Sequence, residues 1–308
     1  MRARFQTCRA GLVPVVLIAA LTLPPVAAAA TPGRVDMVQP PASVERDGRR
    51  EPLAPGMAVR GGDVVRTGQH SRARLALAEG SDVKVGSDAE VDMQRLDTAD
   101  ESSSGFFEGL VSVVRGAFRY TTGAVAARTT KRHIDFRVGA VTAGIRGTDI
   151  WGMAGLDRDF VVLLEGKIDV GSGGRHERLA QAGTAYVKPH SGAAQPRVRV
   201  DRATIRRYAQ QTEPLANQPT LSADGGWVVH LDSLRDAGRA SRALERYRGA
   251  GYPVDRERVR VGGAQWYRIS LHGLDTRAGA RRIGRRFARR FGVRGSWVEH
   301  AARGSAQS

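Results

Sequence analysis

The stretch Trp227-Val228-Val229-His230-Leu231 decides how the C-terminal part of the chain is read. It is a short aromatic and β-branched run with no glycine or proline inside it, which favours a strand. Beyond it, Ala237, Ala240, Leu244 and Tyr247 recur at helical spacing and form one apolar stripe. Gly249 and Gly251 end that helix. Residues 254–261 and 266–271 read as two strands joined by the turn Gly262-Gly263. Asp275 or Thr276 caps a second helix with the stripe Ala280, Ile283, Phe287 and Phe291. Residues 296–300 supply a last strand. The order strand, helix, strand, strand, helix, strand predicts a small α+β sandwich, with two helices on one sheet face and the other face bare.

Working towards the N-terminus, the pattern changes. Residues 212–226 hold Pro214, Pro219, Asn217, Gln218 and Gly225 and read as linker; 201–211 suits a short helix. Before that, period-two alternation dominates. Ala73, Leu75 and Leu77 alternate with polar partners, as do Ile134, Phe136 and Val138, then Val162, Leu164, Ile168 and Val170. Turn residues recur every eight to twelve positions, so an all-β sandwich, roll or short β-helix is expected. Residues 97–105 are acidic and serine-rich and read as a loop on this scaffold. The resulting organisation is multidomain: 31–51 a flexible lead, 52–190 a β domain, 191–224 a linker with a short helix, 225–301 the α+β domain, 302–308 a tail.

Residues 1–30 have the form of a secretory signal. Arg2, Arg4 and Arg9 precede an apolar run over 11–23, and Ala-x-Ala triplets at 27–30 place cleavage near Ala30. Pro24-Pro25 follows the run, which is short for a spanning helix. The expected location is the periplasm, with no transmembrane span in the mature chain. The one cysteine, Cys8, falls inside the signal, so the mature chain offers no disulfide, thiolate metal site or cysteine nucleophile. The histidines are scattered without a ligand-like spacing, and no phosphate loop, nucleophile elbow or dinucleotide fingerprint appears. The reading is therefore no metal, no cofactor and no catalytic residues.

The formal net charge is +17, and +14 without the three signal arginines. From Gly225 to Ser308 eighteen arginines face seven acids. In an exported chain such charge meets anionic wall or lipid rather than nucleic acid. Arg277, Arg281, Arg285 and Arg289 share one helix face at a spacing of four, a possible electrostatic face.

The C-terminal residues resemble the SPOR family. Val229-His230-Leu231-Asp232-Ser233-Leu234 stands where that family has its first strand, Ala240 and Leu244 on its first helix, and Trp266-Tyr267-Arg268-Ile269 with Gly273-Leu274 in its third strand. The family's glutamine, glycine and phenylalanine are here His230, Asp232 and Leu234. The resemblance implies binding of peptidoglycan glycan strands stripped of stem peptides at the division septum, through the bare sheet face. Strand alternation assigns His230, Asp232, Trp266, Arg268 and Trp297 to that face, with Trp227 inward. Indole rings stack on the apolar face of a pyranose and a guanidinium donates to its substituents.

The middle region resembles the periplasmic FecR domain. The carrying pieces are Val64-x-Arg66-Thr67-Gly68, Ser71-x-Ala73-x-Leu75, Val141-x-Ala143-x-Ile145-Arg146-Gly147-Thr148 and Glu165-Gly166-x-Ile168-x-Val170, over about 59–187. That family includes iron-uptake signal transducers with a cytoplasmic sigma-factor-binding tail. The ten residues before the apolar run are short for such a tail. The expected function is a non-enzymatic, glycan-binding envelope protein whose β domain meets an unknown ligand or an envelope protein partner. A wall-tethered sensor of the FecR type is the alternative, and an accessory to a glycan hydrolase the third.

Overall fold

The computed structural model describes residues 31–98, 107–123, 132–145 and 147–301. The signal segment, most of the serine-rich loop, Arg146 and the tail lie outside the described residues.

The chain begins with β1 (Gly33–Gln39), β2 (Ala42–Arg46), β3 (Arg49–Pro52), β4 (Ala58–Val59), β5 (Asp63–Thr67), β6 (Arg72–Leu77), β7 (Asp82–Val85) and β8 (Glu90–Thr98). It continues through β9 (Phe107–Thr121), β10 (Arg132–Val138), β11 (Val141–Ile145), β12 (Asp149–Ala154), β13 (Arg158–Glu165), β14 (Ile168–Ser172), β15 (Arg175–Leu179), β16 (Thr184–Pro189) and β17 (Gln195–Arg199). Helix α1 (Arg202–Gln210) and β18 (Leu221–Ser222) follow. The last unit is β19 (Trp227–Leu234), α2 (Ala237–Gly249), β20 (Val254–Val261), β21 (Ala264–Leu274), α3 (Arg277–Phe291) and β22 (Trp297–His300).

The first seventeen strands form two sheets that share β9. Residues 107–115 of β9 pair with β8 and, in parallel, with β10; residues 116–121 pair with β7 and β12. The strand crosses from one sheet to the other at Gly116, whose φ of +87° suits only glycine and whose Cβ would meet Ala89 Cβ at 2.6 Å. Between the sheets Phe118 stacks on Phe136 at 4.9 Å, in a core that also holds Val65, Leu75 and Val111. The outer face of the second sheet is covered by α1, where Tyr208 stacks on Trp151 at 4.5 Å. Asp201 caps that helix, accepting from the amides of Ala203 and Thr204.

The stretch expected to be a flexible lead is three strands. Val35, Met37 and Val38 are buried, and β1 pairs with β6 along its length. The polar Arg34 and Asp36 alternate outward, and Asp36 pairs with Arg74. The linker is likewise held. β18 pairs with β1 (Val38↔Leu221) and with β21 (Leu221↔Leu274), so pairing is continuous from the second sheet into the C-terminal sheet.

Side-chain and backbone hydrogen bonds reinforce that joint. Gln39, 1% exposed, donates to the Leu215 carbonyl at 3.0 Å and Thr220 Oγ1 at 2.9 Å, and accepts from the Leu215 amide at 2.9 Å. Arg286 of α3 donates to the Pro40 carbonyl at 2.9 Å and to Gln218. The Ala42 amide donates to the Gly251 carbonyl at 3.1 Å.

The C-terminal sheet runs β22–β19–β21–β20, antiparallel throughout. Helices α2 and α3 cover one face. Tyr247, Ala280, Ile283 and Phe287 pack against Val229, Leu231, Ile269 and Leu271. Asp236 and Thr276 cap the helices, and α3 stops at Gly292 in the left-handed conformation.

The joint makes a prediction. Gln39→Ala leaves the Leu215 amide and carbonyl without their side-chain partner inside the protein, a loss of about 1–3 kcal/mol. Urea unfolding followed by tryptophan fluorescence should show a lower midpoint. The Gln39→Ala/Arg286→Ala double variant should separate one transition into two. An unchanged single transition would mean the contacts do not couple the two units.

Candidate functional site

The face of the C-terminal sheet away from the helices is built by four strands. Pairing fixes its members. His230 lies between Ser270 on β21 and Trp297 on β22, and Ser233 lies opposite Arg268. Glu257 of β20 stands beside Arg268, and Val259 beside Trp266.

Two of the five residues assigned to this face behave otherwise. Asp232 is on the helix side. The register shifts between His230 and Asp232, so Leu231 is an extra residue in β19 and Asp232 comes opposite Ile269, a core residue. There it accepts a hydrogen bond from the Tyr247 hydroxyl. Burial, and secondarily that bond, push the Tyr247 hydroxyl up to about 12. The same shift turns Ser233 onto the open face.

His230 is on the expected side but is 6% exposed. Its Nδ1 lies 2.8 Å from Ser270 Oγ and its Nε2 3.0 Å from Glu299 Oε2. A neutral ring serves both, accepting from the hydroxyl and donating to the carboxylate. The ring underlies Trp297, with centroids 4.6 Å apart and planes 32° apart. His230 is therefore a support, with both nitrogens already engaged, rather than an open donor.

The other three residues form the exposed part. Trp297 is 39% exposed, and the Arg268 guanidinium lies 5.1 Å from its ring centre. Ser233, the β19 residue opposite Arg268, is small, and Trp297 is on the far side of that strand. Arg268 Nη1 donates to Glu257 at 3.3 Å, and its Nε is buried without a partner. Trp266, two residues away on the same face, has the Arg235 guanidinium 4.7 Å from its ring centre. The face is thus a pair of indoles, each beside an arginine. Alternation along β21 puts Ser270 on this face with Trp266 and Arg268, whereas Arg235 and Glu257 carry no mark in the sequence and are brought in by strand pairing. Trp227 packs against the core, edge-on to His300.

The four arginines of the electrostatic face, Arg277, Arg281, Arg285 and Arg289, are exposed along α3. Arg286, beside them in sequence, turns to the β sandwich.

Two family descriptions match the chain. "FecR protein" matches residues 63–169 and "SPOR domain" matches residues 223–296. The chain carries a FecR domain followed by a SPOR domain. Both are non-catalytic domain families, typical of envelope or periplasmic proteins. The open indole face belongs to the SPOR domain, and the bent strand β9 to the FecR domain. Comparison with curated protein sequences returned no significant match. Among solved structures, two crystal structures of a candidate anti-sigma factor from Parabacteroides distasonis ATCC 8503 are similar. One has 13% identity and TM-score 0.39, covering 60% of this chain and 74% of its own. The other has 9% identity and TM-score 0.38, covering 66% and 96%. Scores of that size do not establish a shared fold. No helix among the described residues is long and apolar enough to cross a membrane.

Burial lowers the pKa of His230 below its ordinary value, against the opposing effect of the hydrogen bond it donates to Glu299. The unfolded chain takes up this proton at higher pH than the folded one. The residue's contribution to stability is therefore full above the ordinary histidine range and is lost as pH falls towards the folded value. Thermal melts between about pH 7.5 and about pH 5 should show a falling Tm, and the fall should be smaller in His230→Gln. Equal slopes in both proteins would remove His230 as the cause.

Proposed function

We propose that this is an exported, non-enzymatic envelope protein that docks on peptidoglycan glycan strands through the open face of its SPOR domain. The observation that carries the reading is the Trp297–Arg268 stack on that face, with Trp266 and Arg235 beside it. The apolar face of a sugar ring stacks on indole, while hydroxyl, N-acetyl and lactyl groups take guanidinium N–H donors. His230, held by Ser270 and Glu299, lies against the Trp297 ring, so the face is pre-formed and little ordering is needed on binding.

In this reading residues 1–30 direct export to the periplasm and are removed. Residues 31–190 form the FecR unit, and 191–224 join it firmly to the wall domain. The FecR domain offers a rigid sandwich surface to an envelope protein partner. The FecR match favours a second reading, in which the sandwich senses a signal and the SPOR domain tethers it to the wall. The two readings share the glycan contact.

The test is co-sedimentation of the mature chain with purified sacculi, before and after amidase removal of stem peptides. Trp297→Ala, Trp266→Ala and Arg268→Ala should each weaken binding about tenfold, as loss of a central aromatic or arginine anchor does. Wild-type binding should rise on stripped glycan and survive high salt. Binding that persists in all three variants and vanishes in salt would show that the indole face is not the glycan site.

A further inference from the structure

The charge of the SPOR domain is divided between its two faces. Helices α2 and α3 hold eleven arginines against one acid, Glu245. The open sheet face sets Arg235 and Arg268 among Glu257, Glu299 and Asp255, the last paired with Ser270. The excess positive charge therefore lies on the side away from the indoles.

Five of these arginines, Arg239, Arg242, Arg281, Arg285 and Arg289, make no side-chain hydrogen bond, ion pair or ring contact among the described residues. Arg286 braces the joint and Arg248 pairs with Asp255 at 2.9 Å. Arg239, Arg242, Arg277, Arg281, Arg285 and Arg289 are exposed and make no ion pair among the described residues. Their placement works against the helix. Like charges four apart repel, and α3 has no acid in its first turn to oppose Arg277 near the positive end of its dipole. Arg277 lies 5.9 Å from the Trp227 ring centre, but Arg281, Arg285 and Arg289 have no ion pair or side-chain hydrogen bond among the described residues to offset their repulsion.

A pocket of about 330 Å³ opens between α2 and the end of α3. Arg239, Arg242 and Arg246 line it above Tyr247 and Phe291. Asp232 also lines it, with its carboxylate engaged by the Tyr247 hydroxyl. Three guanidinium groups around one occupied carboxylate leave a net positive pocket.

We propose that the outer face of the α2–α3 layer docks on an anionic phospholipid surface, with one headgroup phosphate entering the arginine pocket, while the opposite face remains free for glycan. Two helices side by side present charge over a plane, with α3 alone about 22 Å long. A bilayer presents phosphate over a plane, whereas a single polymer strand presents it along a line. None of the exposed large apolar side chains, Val114, Leu156, Val261 and Trp297, lies on α2 or α3. The contact is therefore electrostatic and peripheral, without insertion.

The experiment is co-sedimentation of the mature chain with phosphatidylcholine vesicles, with and without phosphatidylglycerol, at low and high salt. Binding is expected only with phosphatidylglycerol and only at low salt. Arg281→Ala/Arg285→Ala/Arg289→Ala should lower the partition coefficient roughly 100-fold, at about fivefold per surface arginine. The matching triple lysine variant should keep most of the binding, because charge rather than the guanidinium fork is at work. Trp266→Ala should bind vesicles as the wild type does, which keeps this test separate from the glycan reading. Equal binding to neutral vesicles, no binding to anionic ones, or full binding by the alanine triple variant would overturn the proposal. So would a triple variant that loses sacculi but keeps vesicles, since the arginines would then serve a wall polymer.

Discussion

A primary amide buried to 1% exposure has to find hydrogen-bond partners inside the protein, and Gln39 finds all of its partners in the segment between the two domains. That requirement organises the molecule. Gln39 ends β1, so its position is set by the second sheet of the sandwich. Its partners, Leu215 and Thr220, precede β18, so their position sets the entry to the SPOR sheet. Once these bonds form, Leu221 is delivered between Val38 and Leu274, and backbone pairing carries on from one domain into the other. A connection rich in proline and polar residues becomes a fixed strut because its polar groups are satisfied by a buried side chain.

The same economy of one local feature governs the open face. Without the extra residue in β19, strict alternation would place Asp232 beside His230, and a carboxylate would stand among the indoles. The bulge removes it to the helix side, where the Tyr247 hydroxyl engages it, and brings Ser233 up in its place. Arg268 then faces a small side chain across β19, with Trp297 beyond that strand. Beneath Trp297, His230 is fixed at both nitrogens by residues 40 and 69 positions away in sequence. Rigidity at this face comes from buried polar contacts under the rings, and the rings themselves are left partly open.

These features also explain what the sequence could and could not disclose. Element type and order in the SPOR domain are legible, because helical stripes such as Ala280, Ile283 and Phe287 and the Gly262-Gly263 turn are local signals. Trp266, Arg268 and Trp297 follow from alternation within unbroken strands. Asp232 does not, because a bulge is decided by pairing with β21 rather than by its own neighbours. His230 was assigned to the correct face but to the wrong depth, since its burial depends on Glu299 and Ser270. The lead over 31–51 was misread for a related reason. Its polar residues with Pro32, Pro40 and Pro41 suggest a flexible segment, while its inward Val35 and Met37 gain meaning only against β6.

The separation of charge from aromatic surface has a physical consequence for how the domain meets its surroundings. Long-range attraction depends on net charge and sets encounter rates, while selectivity depends on short-range fit. Had the arginines of α3 surrounded Trp266 and Trp297, any anionic polymer would have competed for the sugar site. With the excess charge on the helix layer, and Glu257 and Glu299 beside the indoles, the open face is nearly balanced and has to recognise its ligand by stacking and hydrogen bonds. The helix layer, which has no exposed aromatic anchors, can supply attraction but little discrimination. A single small domain thereby keeps two surfaces of different physical character apart by the thickness of one hydrophobic core, and the FecR sandwich, tied in through Gln39 and Arg286, is oriented by whatever those surfaces touch.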